Sequence, residues 1–274
     1  MQSNHDLHES KDVPDAYRLA FDDPEFMLRR ETRGIRFQLE LLKPDLVQTE
    51  AGIHNTVVVF GSARFKSTEQ AKLQLAQATA LPASATSAQA LANAQRDLQN
   101  ASYYEAARKF ARLVSEGCQS HPKSNRVVIC TGGGPGIMEA ANRGAMEAGA
   151  PSVAMNISLP HEQAPNPYVT PGLSFQFHYF ALRKMHFAMR AKALISFPGG
   201  FGTLDELFEI LTLVQTRKVQ QTPVLLYGTA YWKRLIDFDW MVESGTIAAE
   251  DLACFKFVDS PEEAWREIQK LLPC

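Results

Sequence analysis

Apolar positions along the chain alternate between two rhythms, short continuous runs and helical periods. The first run is Thr56-Val57-Val58-Val59-Phe60, stopped by Gly61-Ser62-Ala63-Arg64. A continuous β-branched run of that length predicts a strand buried on both faces, as in a parallel sheet. Similar runs predict strands over residues 126–130, 152–157, 173–177, 193–197, 223–227 and 255–258. Between them, helical spacing predicts helices over 137–148, 180–190, 204–215, 231–243 and 261–271. Strand, loop and helix in repetition predict an α/β fold, a doubly wound parallel sheet with helices on both faces.

Upstream of the first strand, Phe26, Ile35, Leu39 and Leu42 keep helical spacing over residues 24–46. They predict extra N-terminal helix, with Pro44 ending it. Residues 1–20 are expected to form a loosely attached or disordered tail, and residues 21–274 one domain. An Ala/Gln-rich insert occupies about residues 66–101. Its composition favours helix, broken in two at Pro82, as a helical hairpin or an elaborated loop. Low-complexity solvated helix with no function of its own fits equally well. Residues 103–116 predict a clearer amphipathic helix closed by Gly117. No internal repeat is visible.

Composition narrows the partners. The 274 residues are 45% hydrophobic and 21% charged, with a formal net charge of −2. No long basic run appears, so nucleic acid is a poor partner, while a small anion needs only a few local donors. Cys118, Cys130, Cys254 and Cys274 form no C-x-x-C pair, which predicts reduced thiols and a cytoplasmic protein, with Cys130 in the core. Residues 1–15 lack the apolar segment of a signal peptide, and no apolar stretch reaches membrane-spanning length, so no membrane partner is expected.

Three predicted strand ends carry glycine or small polar residues: Gly61-Ser62, residues 132–136 and residues 199–203. Doubly wound sheets bind ligands at the carboxyl ends of their strands. Two of these turns open helices, whose free N–H groups and partial positive charge suit a phosphate. One glycine turn alone is weak evidence and could simply be tight-turn chemistry, but two such turns at strand ends in one chain are more telling. Gly132-Gly133-Gly134-Pro135-Gly136-Ile137 lacks the last glycine of a dinucleotide fingerprint, and neither turn has the Gly-Lys-Ser/Thr of a P-loop. A dinucleotide oxidoreductase and an ATPase both lose ground.

The run Pro198-Gly199-Gly200-Phe201-Gly202-Thr203-Leu204-Asp205-Glu206 follows an Arg183-Lys184 pair on the preceding helix, and a triple-glycine turn precedes Ile137-Met138-Glu139. These motifs resemble the Lonely Guy family of cytokinin riboside 5′-monophosphate phosphoribohydrolases and its bacterial AMP nucleosidase-like relatives, sequences also labelled possible lysine decarboxylases. The resemblance covers about residues 56–243. It implies a Rossmann-like fold, a homodimer or higher oligomer with the active site near the subunit interface, and hydrolysis of the N-glycosidic bond of a nucleoside 5′-monophosphate. It implies that Arg183 and Glu206 are the catalytic pair. Substrate contacts would fall on Glu162, Lys184, Gly199, Gly200, Phe201, Gly202, Thr203, Leu204, Asp205 and Thr212, with Ser62, Gly133, Gly134 and Met138 at the neighbouring strand ends. No cofactor and no metal are implied. Asp205 stands where the short plant members have Glu, and the insert has no counterpart in them.

Physically, N-glycoside hydrolysis needs a carboxylate near the oxocarbenium-like sugar and a place for the leaving base. Glu206 lies one turn behind the phosphate loop and can meet the ribose, orient water, or both. Equally, it could be a first-turn residue favoured by the helix dipole. Arg183 could clamp phosphate or base, or belong to a surface salt bridge. The Thr203 hydroxyl could serve phosphate or cap a helix. Arg64 and Asn142 are weaker candidates for the cleft, with Glu139 beside it. His178 and His186 lack metal-ligand spacing and read as structural or cleft-lining. Met138, Met185, Met189 and the cluster Phe175, Phe177 and Phe180 read as core, with one ring available to stack on a base.

Two other functions compete. A carrier of a phosphorylated ligand, like the molybdenum-cofactor carriers, needs the phosphate loop but not both Arg183 and Glu206. A pyridoxal-phosphate decarboxylase needs a Schiff-base lysine, and no such context is recognisable.

Overall fold

The computed structural model describes residues 15–119, 126–158, 164–219 and 222–270. Glu162, Leu271 and Cys274, each singled out in the sequence, lie outside the described residues. By packing, the chain divides between Lys43 and Pro44 into two units.

In the first unit, Asp23 caps the short helix α1 (Pro24–Met27) by accepting the Phe26 amide at 3.0 Å. Then comes a turn fastened by Thr32, whose hydroxyl lies 2.9–3.1 Å from the carbonyls of Phe26, Met27 and Arg29. The single helix predicted over residues 24–46 is therefore two. Its successor α2 (Arg33–Glu50) also passes straight through Pro44. Proline there forfeits one ladder bond. Arg190 offsets the loss by gripping the last turns of α2 at Asp45 (2.5 Å) and Thr49 (2.8 Å), and the Ile53 carbonyl beyond its end.

The second unit is built on seven parallel strands: β1 (Asn55–Phe60), β2 (Val127–Thr131), β3 (Ser152–Ile157), β4 (Ser174–Phe177), β5 (Ala191–Ser196), β6 (Val224–Tyr227) and β7 (Phe255–Val258). Their order is β4-β3-β2-β1-β5-β6-β7, and every pairing is parallel. This is a Rossmann-like doubly wound sheet. Val58 pairs with Cys130 on one side and Leu194 on the other. Such a strand is covered above and below, which is why β1 reads as an unbroken apolar run. The winding reverses between β1 and β5, so the crevice for a ligand opens above their carboxyl ends.

Helices α3 (Thr68–Thr79) and α4 (Ala85–Cys118) form the hairpin anticipated in the insert, each opened by a serine capping box, Ser67 and Ser84. The helix predicted over residues 103–116 is not separate. It is the second half of α4, which runs 34 residues. Gly117 does not close it but lies in its last turn, where a Cβ would come within 2.3 Å of the Trp265 ring. Glycine serves packing there rather than termination. Val57, Val59, Ile129 and Ile195 of the sheet meet Phe110 and Val114 of α4, Ile137 of α5 (Ile137–Glu147) and Trp265 of α10 (Pro261–Gln269) in one buried cluster.

On the opposite face lie α6 (Phe180–Arg190) and α7 (Phe201–Gln215). The helix predicted over residues 231–243 is split into α8 (Thr229–Leu235) and α9 (Phe238–Glu243), because Asp237 caps a new start through the Trp240 amide at 2.9 Å. A 3-10 helix over Ala249–Cys254 had no sequence signal. Phe175, Phe177 and Cys130 are buried as anticipated, but Phe180, Met185 and Met189 are 52%, 46% and 50% exposed. Met185 and Met189, four residues apart, share a side of α6 that lies outside its buried face, and Phe180 is exposed at the helix start. No helix of the described residues is long and apolar enough to cross a membrane.

Candidate active site

The reversal point brings three strand ends together through one loop. Ser62, just past β1, donates its amide to the Pro198 carbonyl beyond β5 (3.0 Å). Its own carbonyl accepts the first amide of α5, from Ile137, also at 3.0 Å. Gly136, with φ of 71°, permits that contact, since a Cβ would stand 2.3 Å from the Ser62 carbonyl oxygen. Above the loop lies a cavity of about 590 Å³ bounded by Ser62, Arg64, Met138, Arg183, Gly199 to Leu204, Glu206 and Tyr231.

The floor of this cavity is the start of α7. Gly200 is its N-cap and offers no side chain, and the amides of Phe201, Gly202 and Thr203 have no partner among the described residues. Phe201 is 92% exposed, so no packing occupies this turn from outside. The carbonyls behind the turn are held: Gly199 accepts the Tyr231 hydroxyl at 2.6 Å, and Gly200 accepts the Leu204 amide at 3.0 Å. Donors without acceptors at the positive end of a fifteen-residue helix make an anion seat. Thr203 is the third residue of the helix and therefore not its cap. It is buried with its hydroxyl over Gly199.

Glu206 follows Thr203 by one turn on the same face of α7. Its Oε1 lies 3.1 Å from Nη2 of Arg183, and the two side chains are only 11% and 10% exposed. On α6 the buried face is Leu182, Arg183, His186 and Phe187, so the arginine points inward as part of that face. Its Nε donates to the Met155 carbonyl at 2.8 Å, and its guanidinium stands 5.1 Å from the Phe187 ring centre. Gly132 gives it room, because a Cβ there would lie 2.6 Å from Nη2. Burial pushes the Glu206 carboxyl up to about 7, with the Arg183 charge opposing. Desolvation wins because both groups sit almost out of water. A salt bridge at the surface, the alternative for Arg183, is made instead by its neighbour Lys184, which ion-pairs with Asp205 (2.7 Å) and Glu209 (3.0 Å).

The structure thus divides the residues named from sequence. Arg183, Glu206, Ser62, Met138 and the stretch Gly199 to Leu204 share the cavity, and Arg64 joins them. Asp205 and Glu209 lie one turn apart on a different face of α7, toward Lys184. Thr212 sits further along and donates its hydroxyl to the Phe208 carbonyl at 2.7 Å. Gly133 and Gly134 are tied beneath the turn by Asn166, whose amide donates to both carbonyls at 3.2 and 3.1 Å and to Asn142 at 2.9 Å. Asn142 accepts from Thr131 as well, at 2.7 Å, and is part of this support rather than of the cleft. His186 is packed against Phe177, with ring centres 5.2 Å apart. Among the described residues no group of three or more His, Cys, Asp or Glu could hold a metal ion. Tyr231 and Asn166 escaped the sequence reading. Tyr231 follows the end of β6, the one strand-end signal that could have found it; Asn166 sits in a proline-rich loop without any.

Residues 138–268 match the family model described as "Possible lysine decarboxylase". Cytokinin riboside 5′-monophosphate phosphoribohydrolase LOG3 of Arabidopsis thaliana is 33% identical over 94 residues, 34% of this chain and 43% of that protein. The probable cytokinin riboside 5′-monophosphate phosphoribohydrolase LOG4 of Oryza sativa subsp. japonica is 39% identical over 83 residues, 30% of this chain and 36% of that protein. The matches therefore span less than half the length of these curated relatives. Among solved structures, the molybdenum cofactor binding protein of Rippkaea orientalis covers 79% of this chain and 96% of its own, at 17% identity and a TM-score of 0.48. The molybdenum cofactor carrier protein of Chlamydomonas reinhardtii covers 80% and 99%, at 16% identity and a TM-score of 0.47. The resemblance of this chain to the Lonely Guy family rests on the family model and the curated relatives.

Proposed function

We propose that this chain hydrolyses the N-glycosidic bond of a nucleoside 5′-monophosphate, of the AMP or cytokinin riboside 5′-monophosphate type, giving free base and ribose 5-phosphate. One observation carries the reading: a buried Arg183–Glu206 pair stands one turn behind the unpartnered amides of α7, within one cavity. The phosphate sits on the amides of Phe201, Gly202 and Thr203, with the Thr203 hydroxyl beside them. That anchor sets the ribose next to Glu206. Water attacks the anomeric carbon and gives a proton to the Glu206 carboxylate. The carbon–nitrogen bonding pair leaves with the base, which takes up a proton from solvent, and Glu206 then returns its proton to solvent, so that one water is consumed. The carboxylate also meets the positive charge that develops on the sugar. A carboxyl titrating near 7 exchanges its proton readily at neutral pH.

A carrier would need the anion seat alone, whereas a salt-bridged arginine and carboxylate deep in the cleft serve chemistry. Decarboxylation through pyridoxal phosphate does not fit, because no lysine among the described residues bounds the cavity. We also propose pairing of two copies through the outer face of α6, where Phe180, Met185 and Met189 are exposed. The free thiols of Cys130 and Cys254 support a cytoplasmic location.

The test is incubation of the purified chain with a panel of nucleoside monophosphates, following base and ribose 5-phosphate by chromatography. Release of both in equal amounts is expected, and the panel ranks the bases. Thermal stabilisation by the nucleotides without release from any of them would replace the hydrolase with the carrier.

A further inference from the structure

A second cavity, of about 630 Å³, lies on the other side of the loop that follows β1. One wall is that loop, from Ser62 to Lys66. The opposite wall is the insert, through Arg96, Asp97 and Asn100 of α4, and Glu139 of α5 closes one end. Its volume lies within the range of small-molecule sites. Its charges are unevenly matched. Lys66 is paired with Asp97 at 2.8 Å, and Glu139 accepts the Tyr104 hydroxyl at 2.7 Å. Neither the Arg64 nor the Arg96 side chain has a hydrogen-bond or ion-pair partner among the described residues. Asn100 follows Arg96 by one turn of α4 and adds an amide to the same wall.

We propose that this cavity is a second anion site, taking a phosphorylated small molecule between Arg64 and Arg96. Two guanidinium forks facing a concave space, with the nearby carboxylates already engaged, present the donors that a phosphate group accepts. The site is a product of the insert, since without α3 and the first half of α4 the loop after β1 has no facing wall. It thereby gives the Ala/Gln-rich segment a role that its composition does not suggest. Ser62, Ala63 and Arg64 bound both cavities, so the two sites lie back to back across one loop. The proposal requires no nucleotide cleavage and is independent of the reading above.

The test is calorimetric titration of the full chain with pyrophosphate at low ionic strength, in wild type, Arg96→Gln, Arg64→Gln/Arg96→Gln and Thr203→Val. Arg96 is exposed on α4, and circular dichroism is the check that its variants fold. The expected result is a binding event weakened about tenfold or more by Arg96→Gln. The double variant abolishes it, and Thr203→Val retains it. No binding to wild type, equal binding by Arg96→Gln, or loss of all binding in Thr203→Val would each overturn the proposal.

Discussion

The two glycine-rich turns of this protein look alike in sequence and differ in what they leave unpaired. At residues 132–136 the turn is occupied from within. Asn166 takes the carbonyls of Gly133 and Gly134, Thr131 takes the Gly133 amide at 3.0 Å, and Ser62 takes the first amide of α5. In the turn ahead of α7 the carbonyls are engaged and the first helix amides are not. A buried polar group left without a partner is costly, so structure claims most of them. The donors that remain at an exposed helix start are available to a ligand. The first turn therefore braces the scaffold and leaves room for Arg183, while the second leaves the first amide of its helix open, where the proposed substrate phosphate would sit.

Substitutions separate the two roles. Gly136→Ala forces a left-handed residue against the Ser62 carbonyl and should lower stability by about 2–4 kcal/mol, read as a fall in denaturant midpoint. Little loss would mean that the first turn is not the rigid one. Glu206→Gln tests the crevice next. Folding raises the pKa of Glu206, so the folded chain holds a proton that the unfolded chain releases between about pH 4.5 and 7. Wild type should lose stability against this variant as pH rises from 5 to 8, by up to about 3 kcal/mol. Parallel curves would place Glu206 in contact with water. Thr203→Val should raise KM for the nucleotide about tenfold while the melting temperature stays near wild type. Gly202→Ala meets nothing within 4 Å, so its stability should change by no more than about 1 kcal/mol even as phosphate binding weakens.

The same contrast explains what could be read from sequence. The strands of the sheet were legible because burial on both faces leaves unbroken apolar runs such as Val57-Val58-Val59. The anion seat was legible because a helix start needs only local residues. Direction was harder. Met185 and Met189 have the spacing of a shared helix face, yet the buried face of α6 carries Arg183 and His186 instead. The motif from Gly200 to Glu206 reads as one unit, but helical geometry turns Asp205 away to Lys184 and keeps Glu206 in the cavity. Pro44 misled because its local penalty is met by Arg190, far along the chain. The support from Asn166 and Tyr231 was invisible for the same reason, since both act on glycines more than thirty residues distant.

The pairing of Arg183 with Glu206 makes a further kinetic prediction. If the Glu206 carboxylate accepts the proton of water, kcat/KM falls on the acid side of a midpoint near 7 rather than near the ordinary carboxylate range. Arg183 lowers that midpoint, so Arg183→Ala should move it upward in a pH–rate profile.

The deciding question is whether Glu206 does chemistry on a ligand that the α7 start only holds. The most direct measurement pairs nucleotide affinity with base release in wild type and Glu206→Gln at pH 8. The prediction is binding within a few-fold of wild type and release slowed by about a thousandfold. Release at the wild-type rate by a variant that still binds would contradict it.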